Sequence, residues 1–444
     1  MILIGNGILI TRDNKNTIIE NGAVLIENNI IKEIGVTENL KEKYSNFKYE
    51  YIDAKKRLIM PGFINAHMHY YSSFARGMAT DSPPATMFSQ ILKGLWWRLD
   101  KKLTISDVYY SALVAMIEEI KCGVTTSIDH HASPYAAEGS LFKIAEAAVK
   151  LGIRRNLCYE TSDRDGIDIK NIGIKENIAF IKYCKEKKDD MLTGMFGLHA
   201  SMTISDKTMD ECIDAAKNIN AGFHIHVAEG IEDVADSLSK YNMRVVERLY
   251  KKGVLNEKSI AVHCIHVTED EKEMLKDSKV SIVHNPESNM GNAVGVSPVI
   301  DFIKRGILVG MGTDGYTNDV TESYKVSNIL HKHANKLPCV GWVEPPKMLF
   351  DNNRLIIGKQ INGEVGILKE NAYADIIIVD YNPITPLNSN NLNGHILFGV
   401  SGRNVDTTIV NGKIIYNERK LVNIDENEIM KKSRELSRKL WERI

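Results

Sequence analysis

The chain has 444 residues, 43% of them hydrophobic and 25% charged, with a formal net charge of -1 from 56 basic and 57 acidic side chains. These values are ordinary for a folded globular protein, and the balance of charge gives no electrostatic case for nucleic acid or an anionic membrane. No apolar run reaches the ~18 residues of a membrane span, and the apolar N-terminus reads as a first strand rather than a signal peptide. The six cysteines (Cys122, Cys158, Cys184, Cys212, Cys264 and Cys339) are scattered with no CxxC pair. Reduced, mostly buried thiols in a cytoplasmic protein are expected, rather than a disulfide framework or a thiolate zinc site.

Residues 2–11 and 23–34 read as strands, with Asn21-Gly22 and Asn28-Asn29 as turn signals. Short apolar runs then recur at 58–64, 125–128, 154–159, 193–198, 222–227, 260–264, 280–284 and 307–312. Helical stretches separate most of them. The helix expected over 104–122 opens on a Thr104-x-x-Asp107 capping box and stops before Gly123. Eight such units point to a (β/α)₈ TIM barrel, the rival being an open doubly wound sheet. No GxGxxG follows the first strand, which disfavours a dinucleotide fold. Residues 374–380 and a hairpin around Asn411-Gly412 make the C-terminal part β-rich like the N-terminal one. The expected organisation is a composite β-sandwich from 1–56 and 357–425, a barrel over 57–356, and a charged amphipathic helix over 426–444.

Functional residues of a barrel sit at the C-terminal ends of its strands, and metal-ligand residue types fall there repeatedly. The first strand ends Pro61-Gly-Phe-Ile-Asn-Ala-His67-Met-His69. Residues two apart in an extended segment face the same way, so both imidazoles can share an ion. Alone, the pair could equally be two unrelated polar residues. The fifth strand reads Phe223-His224-Ile-His226-Val-Ala-Glu229. His226 is preferred as a ligand because it is nearer the strand end, and His224 reads as a hydrogen-bonded core residue. The sixth run carries His263 at its end, with His266 in the following loop as a structural or surface residue. The eighth run ends Gly312-Thr-Asp314-Gly315, which by itself would be a turn. A buried Asp there is costly unless it binds something. Taken together, several imidazoles and a carboxylate on one rim form the open pattern of a catalytic metal site rather than the closed structural one.

These motifs, with His284-Asn-Pro-Glu-Ser288-Asn289, Gly363-Glu-Val-Gly366 and Val410-Asn-Gly412-Lys413, resemble the amidohydrolase superfamily on its cytosine deaminase, guanine deaminase and chlorohydrolase side. Most closely the chain resembles the SsnA-type aminohydrolases associated with selenium metabolism. The resemblance covers nearly the whole chain. It implies one divalent ion, Zn²⁺ in preference to Fe²⁺, held by His67, His69, His226 and Asp314. Glu229, His263 and Asp314 would be catalytic, handling protons, and His199 would contact substrate. Binuclear relatives carry a lysine at the fourth strand end, and Phe196-Gly-Leu-His-Ala has none. Arg76, Trp97 and Asn318 are further candidates for substrate binding, with Trp96, Asp319 and His331 beside them. Surface exposure is the competing reading for Arg76, and a helix core face for the tryptophans. The implied activity is hydrolytic deamination of a purine- or pyrimidine-like heterocycle by metal-activated water. Ring opening of a cyclic amide or ureide is the enzymatic alternative. A non-catalytic metal-binding accessory protein is the third reading, disfavoured by the complete set of proton-handling residues. The expected partner is a small heterocyclic substrate, and a homodimer is expected by family analogy.

Overall fold

The computed structural model describes residues 1–444. Strands β1 (Phe63–Met68), β2 (Val124–His131), β3 (Arg154–Tyr159) and the short Leu192–Gly194 form one parallel arc. β4 (Phe196–Ala200), β5 (Phe223–Val227), β6 (Ile260–His263), β7 (Ser281–His284) and β8 (Val309–Met311) form a second. Isolated parallel bridges join the arcs, Met68 to Asp314 on one side and Thr161 to Leu198 on the other. The fold is a (β/α)₈ barrel, with helices such as Ile105–Lys121, Ser140–Leu151 and Ile167–Lys187 between successive strands. Parallel strands covered on both faces read as continuous apolar runs, and all eight residues of β2 are buried. No helix is long and apolar enough to cross a membrane.

Both ends of the chain build a nine-stranded sheet beside the barrel. Alternate residues of Ile2–Ile10 and Ile18–Glu27 face opposite sides. Ile4, Val24 and Ile26 pack with Ile376, Ile378 and Ile409 on one side, and Leu3 and Leu25 pack under Leu40 and Tyr44 on the other. A buried ion pair, Arg154 to Asp375 at 3.1 Å, ties β3 of the barrel to this sheet. A second, Arg155 to Glu119 at 2.8 Å, lies wholly inside the barrel wall.

Several elements differ in detail from expectation. The run 58–64 divides at Gly62: Leu58–Pro61 pairs within the terminal sheet, and Phe63–Met68 is barrel strand β1. A side chain on Gly62 would meet Thr125 Cγ2 at 2.2 Å, so only glycine lets the chain turn that close to β2. The run 193–198 also divides, Leu192–Gly194 pairing with β3 and Phe196–Ala200 with β5. Asn21-Gly22 is not a turn. It lies inside Ile18–Glu27 beside register shifts against Ile2–Ile10, and Asn21 takes the left-handed backbone (φ 46°) that a bulge uses. Helix Ile105–Lys121 begins at the expected capping box, which satisfies amides that the first turn leaves open. The closing helix is Glu426–Trp441, capped by Asp425.

Candidate metal centre and active site

The strand ends converge on one cluster of imidazoles and carboxylates. His67 and His69 close β1, His226 lies near the end of β5, His263 ends β6, and Asp314 follows β8. His226 Nε2 lies 3.3 Å from His69 Nε2, and Asp314 Oδ1 lies 3.2 Å from His69 Nε2 and 3.9 Å from His67 Nε2. His263 Nε2 is 3.5 Å from Asp314 Oδ2 and 3.4 Å from Glu229 Oε2. Asp314 (φ 56°) and His263 (φ 71°) both hold left-handed backbone, a strain that surrounding structure must sustain and that clusters at functional sites.

The outer nitrogen of each imidazole is fixed from behind. His67 Nδ1 meets His224 Nε2 at 2.9 Å, His226 Nδ1 meets the His199 carbonyl at 2.9 Å, and His69 Nδ1 donates to the His130 carbonyl. His263 Nδ1 meets Asn289 Oδ1 at 2.7 Å. With Nδ1 engaged in this way, the Nε2 of each ring is turned to the centre, the arrangement typical of metal-ligating histidine. Nε2 of His67 and of His263 is buried with no hydrogen-bond partner. Orphaned buried acceptors are costly, and a cation between them removes the cost, so these residues fit a metal ion. Ligand atoms of His67, His69 and Asp314 lie within bridging reach of one another, as do those of His67, His226 and His263.

The electrostatics agree. Burial, then the charges of neighbouring imidazoles, holds His67 and His226 well below the usual histidine range, so they are neutral as ligands must be. Burial also opposes protonation of His69, but its hydrogen bond to Asp314 together with the charges of Asp314, Glu160 and Asp129 outweighs this and lifts it to about 9, a proton that a bound cation would replace. Asp314 is driven well below the usual carboxylate range despite its burial, first by that bond to His69 and then by the other imidazoles. Glu229 goes the other way. Burial and the charge of Asp314 push it well above the usual range, so it holds a proton at neutral pH. Two buried carboxyls, at 3.4 and 3.5 Å from the same His263 Nε2, thus differ in protonation, one a base and the other an acid.

A cavity opens onto this cluster, lined by His69, His199, His226, Glu229 and Asp314 and walled by Phe88, Leu92, Trp96 and Trp97 from the segment after β1. Both tryptophans face it, and Trp97 lies edge-on to His199 with ring centroids 6.0 Å apart. The structure does not bring Arg76 or Asn318 there. Arg76 is exposed and pairs with Glu118 at 2.6 Å, and the Asn318 amide donates to the same carboxylate. Asp319 caps helix Val320–Asn335, and His331 packs on His284 with Nε2 atoms 3.2 Å apart. Sequence reasoning missed Glu160 at the end of β3, Ser288, which donates to Asp314 at 2.8 Å, and Asn289 and His224 as orienting partners. Ser288 and Asn289 belong to the motif that begins at His284, so their position just past β7 was a usable signal. Glu160 carried none beyond its place one residue past a strand.

A barrel that gathers inward-facing imidazoles, an ionised carboxylate and a protonated carboxyl at its C-terminal rim defines a metal-dependent hydrolase. This chain belongs to the amidohydrolase family, whose sequence pattern matches residues 58–415. It is 34% identical over 435 residues to a 5'-deoxyadenosine deaminase of Methanobrevibacter smithii, covering 95% of this chain and 94% of that protein. It is 32% identical to a 5-methylthioadenosine/S-adenosylhomocysteine deaminase of Halothermothrix orenii, covering 99% of each. In three dimensions it is similar to a zinc-bound adenosine deaminase of Xanthomonas campestris, with TM-score 0.87 and 20% identity over 99% of this chain and 98% of that one.

Proposed function

We propose that the protein is a mononuclear metal-dependent aminohydrolase that removes the amino group of an adenine-type purine as ammonia. The observation that carries this is the meeting of Glu229 and Asp314, which line one cavity, on either side of His263 Nε2 at 3.4 and 3.5 Å beside the histidine cluster. The names of the two relatives given above, a 5'-deoxyadenosine deaminase and a 5-methylthioadenosine/S-adenosylhomocysteine deaminase, support the substrate class. His67, His69, His226 and Asp314 would hold the ion, and the zinc in the Xanthomonas relative makes Zn²⁺ the first choice. When bound, such an ion lowers the pKa of water toward neutrality and so supplies hydroxide.

The chain's own residues do the rest. Asp314, ionised and fixed by Ser288 Oγ, accepts the proton that water gives up. Glu229, protonated, donates to the ring nitrogen beside the carbon under attack, which turns an aromatic amidine carbon into a tetrahedral one. His263, held by Asn289 with Nε2 3.5 Å from Asp314, shares the proton that Asp314 takes up and so turns an N–H toward the charge that develops on the attacking oxygen. Asp314 then returns its proton to the amino group, which leaves as ammonia with its bonding pair while the new hydroxyl becomes the carbonyl and gives its proton to Glu229, restoring the acid. Trp96, Trp97 and Phe88 exclude water from the ring's faces. Cytoplasmic operation is part of the proposal and is supported by six unpaired cysteines, four of them buried. So is a homodimer, which light scattering would check.

The test is ammonia release with metal analysis on purified protein, over adenosine, 5'-deoxyadenosine and 5'-methylthioadenosine. Ammonia with an intact, shifted purine chromophore is expected. Loss of the chromophore without ammonia would instead indicate ring opening.

A further inference from the structure

Beside the metal cluster lies a carboxyl to which the deamination chemistry gives no task. Glu160, one residue past β3, lines the cavity and is 7% exposed. Its Oε1 lies 3.1 Å from His199 Nε2, and its Oε2 is buried without a hydrogen-bond partner. Ligand atoms of Glu160, His199 and His226 all lie within 4.8 Å of one another, so the carboxyl stands next to the reacting centre.

Proton positions around it follow from the hydrogen bonds. The Thr203 hydroxyl donates to the Ala200 carbonyl at 3.1 Å, so its oxygen accepts from His199 Nδ1 at 2.7 Å. In the neutral imidazole that leaves a lone pair on Nε2, and Glu160 meets it only by supplying the proton through Oε1. Oε2 is then a carbonyl oxygen. The nearest ring beyond it is His130, whose Nε2 donates to the His224 carbonyl at 3.0 Å, leaving Nδ1 as an acceptor too. Nδ1 of His130 is likewise buried and unpartnered, and it stands 3.6 Å from Glu160 Oε2. Two acceptors therefore face each other 3.6 Å apart with no donor between them, and Glu160 is the one of the two residues that lines the cavity.

We infer that Glu160, held neutral against His199, is a specificity residue whose free oxygen accepts a hydrogen bond from an N–H of the aminated ring while the ring lies over the metal centre. The assignment rests on the deaminase reading proposed for the site. It deepens that reading by requiring that the substrate bring an amino or ring N–H to the β3 side of the cavity. Ring analogues that present only acceptors there would leave Oε2 buried and unpaired, a situation that polar sites reject strongly.

Gln at this position offers the same pattern as the neutral acid, an N–H for His199 Nε2 and a carbonyl for substrate, whereas Ala offers neither. The experiment compares wild type, Glu160→Gln and Glu160→Ala for KM and kcat with adenosine and 5'-deoxyadenosine, for metal content, and for melting temperature. Expected are one ion per chain throughout, KM of Glu160→Gln within about threefold of wild type, and KM of Glu160→Ala raised about tenfold or more with a smaller change in kcat. An active wild type with folded, metal-loaded Gln and Ala variants equally impaired, or with Ala unimpaired, would overturn this assignment alone. A second ion in wild type that Glu160→Ala loses would overturn it in favour of metal ligation. A wild type that turns over no aminated purine would overturn both the assignment and the reading beneath it. Should Glu160→Ala fail to fold, the KM of Glu160→Gln decides, since a merely charged role for Glu160 would not survive that change.

Discussion

Replacing Glu229 by Gln tests the division of labour between the two buried carboxyls. The substitution keeps the shape of the side chain, and an amide oxygen can still accept from the Asn292 amide at 3.4 Å, so neither packing nor cavity volume changes. What disappears is an acid poised to donate a proton and, afterwards, to take it back. General acid–base catalysis by a positioned group contributes about 10²–10⁴-fold, or about 3–5 kcal/mol of barrier. Because Glu229 lies 3.4 Å from His263 and is not one of the four residues proposed to hold the ion, the loss should fall on kcat and leave metal content at one ion per chain. The pH profile carries a second signature. Glu229 has its carboxyl raised by burial and by Asp314, so the active, protonated form is lost as pH rises through that raised value. The alkaline limb of kcat should therefore flatten in Glu229→Gln. Stability should follow the same sign. A carboxyl raised in the folded state contributes fully below its unfolded pKa and loses that contribution as pH rises through the folded one, so the variant should tolerate alkaline pH better. Steady-state deamination across pH, with metal analysis and thermal melts, reads all three. A metal-loaded Glu229→Gln protein with kcat within about threefold of wild type would refute the assignment of the acid.

The other predictions concern residues further from the chemistry. His224→Leu removes the acceptor behind His67 Nδ1 and should weaken metal binding about 10–100-fold in competition with a chelator, while the fold persists. Asp375→Ala leaves Arg154 buried and unpaired between barrel and terminal sheet. It should cost about 3–5 kcal/mol in denaturant unfolding, unlike a surface pair. Arg76→Ala breaks the exposed pair with Glu118 and should change stability by about 1 kcal/mol or less and leave KM unaltered, and a large rise in KM would return Arg76 to the substrate. Chelation of the ion should abolish activity, and stoichiometric Zn²⁺ should restore it.

Local pattern determined much of this protein. Burial of parallel strands makes them legible as apolar runs, and the period of two along a strand is enough to place His67 and His69 on one side. The capping box at Thr104 and the helix it opens are equally local. So is the order of metal-ligand residue types along the rim, because barrel topology sends each strand end to the same face. Tertiary structure alone decided the partners. His224 and His67 are 157 positions apart and meet only because β1 and β5 line one barrel interior. Glu118 draws Arg76 and Asn318 away from the cavity from 42 and 200 positions distant. Glu160, His130 and His199 come from three neighbouring strands. Periodicity says which way each side chain faces, but which groups meet depends on strand stagger and on loops whose paths are set by packing. Protonation follows from the same source, since burial beside Asp314 makes Glu229 an acid, whereas the imidazoles gathered around Asp314, equally buried, keep it a base.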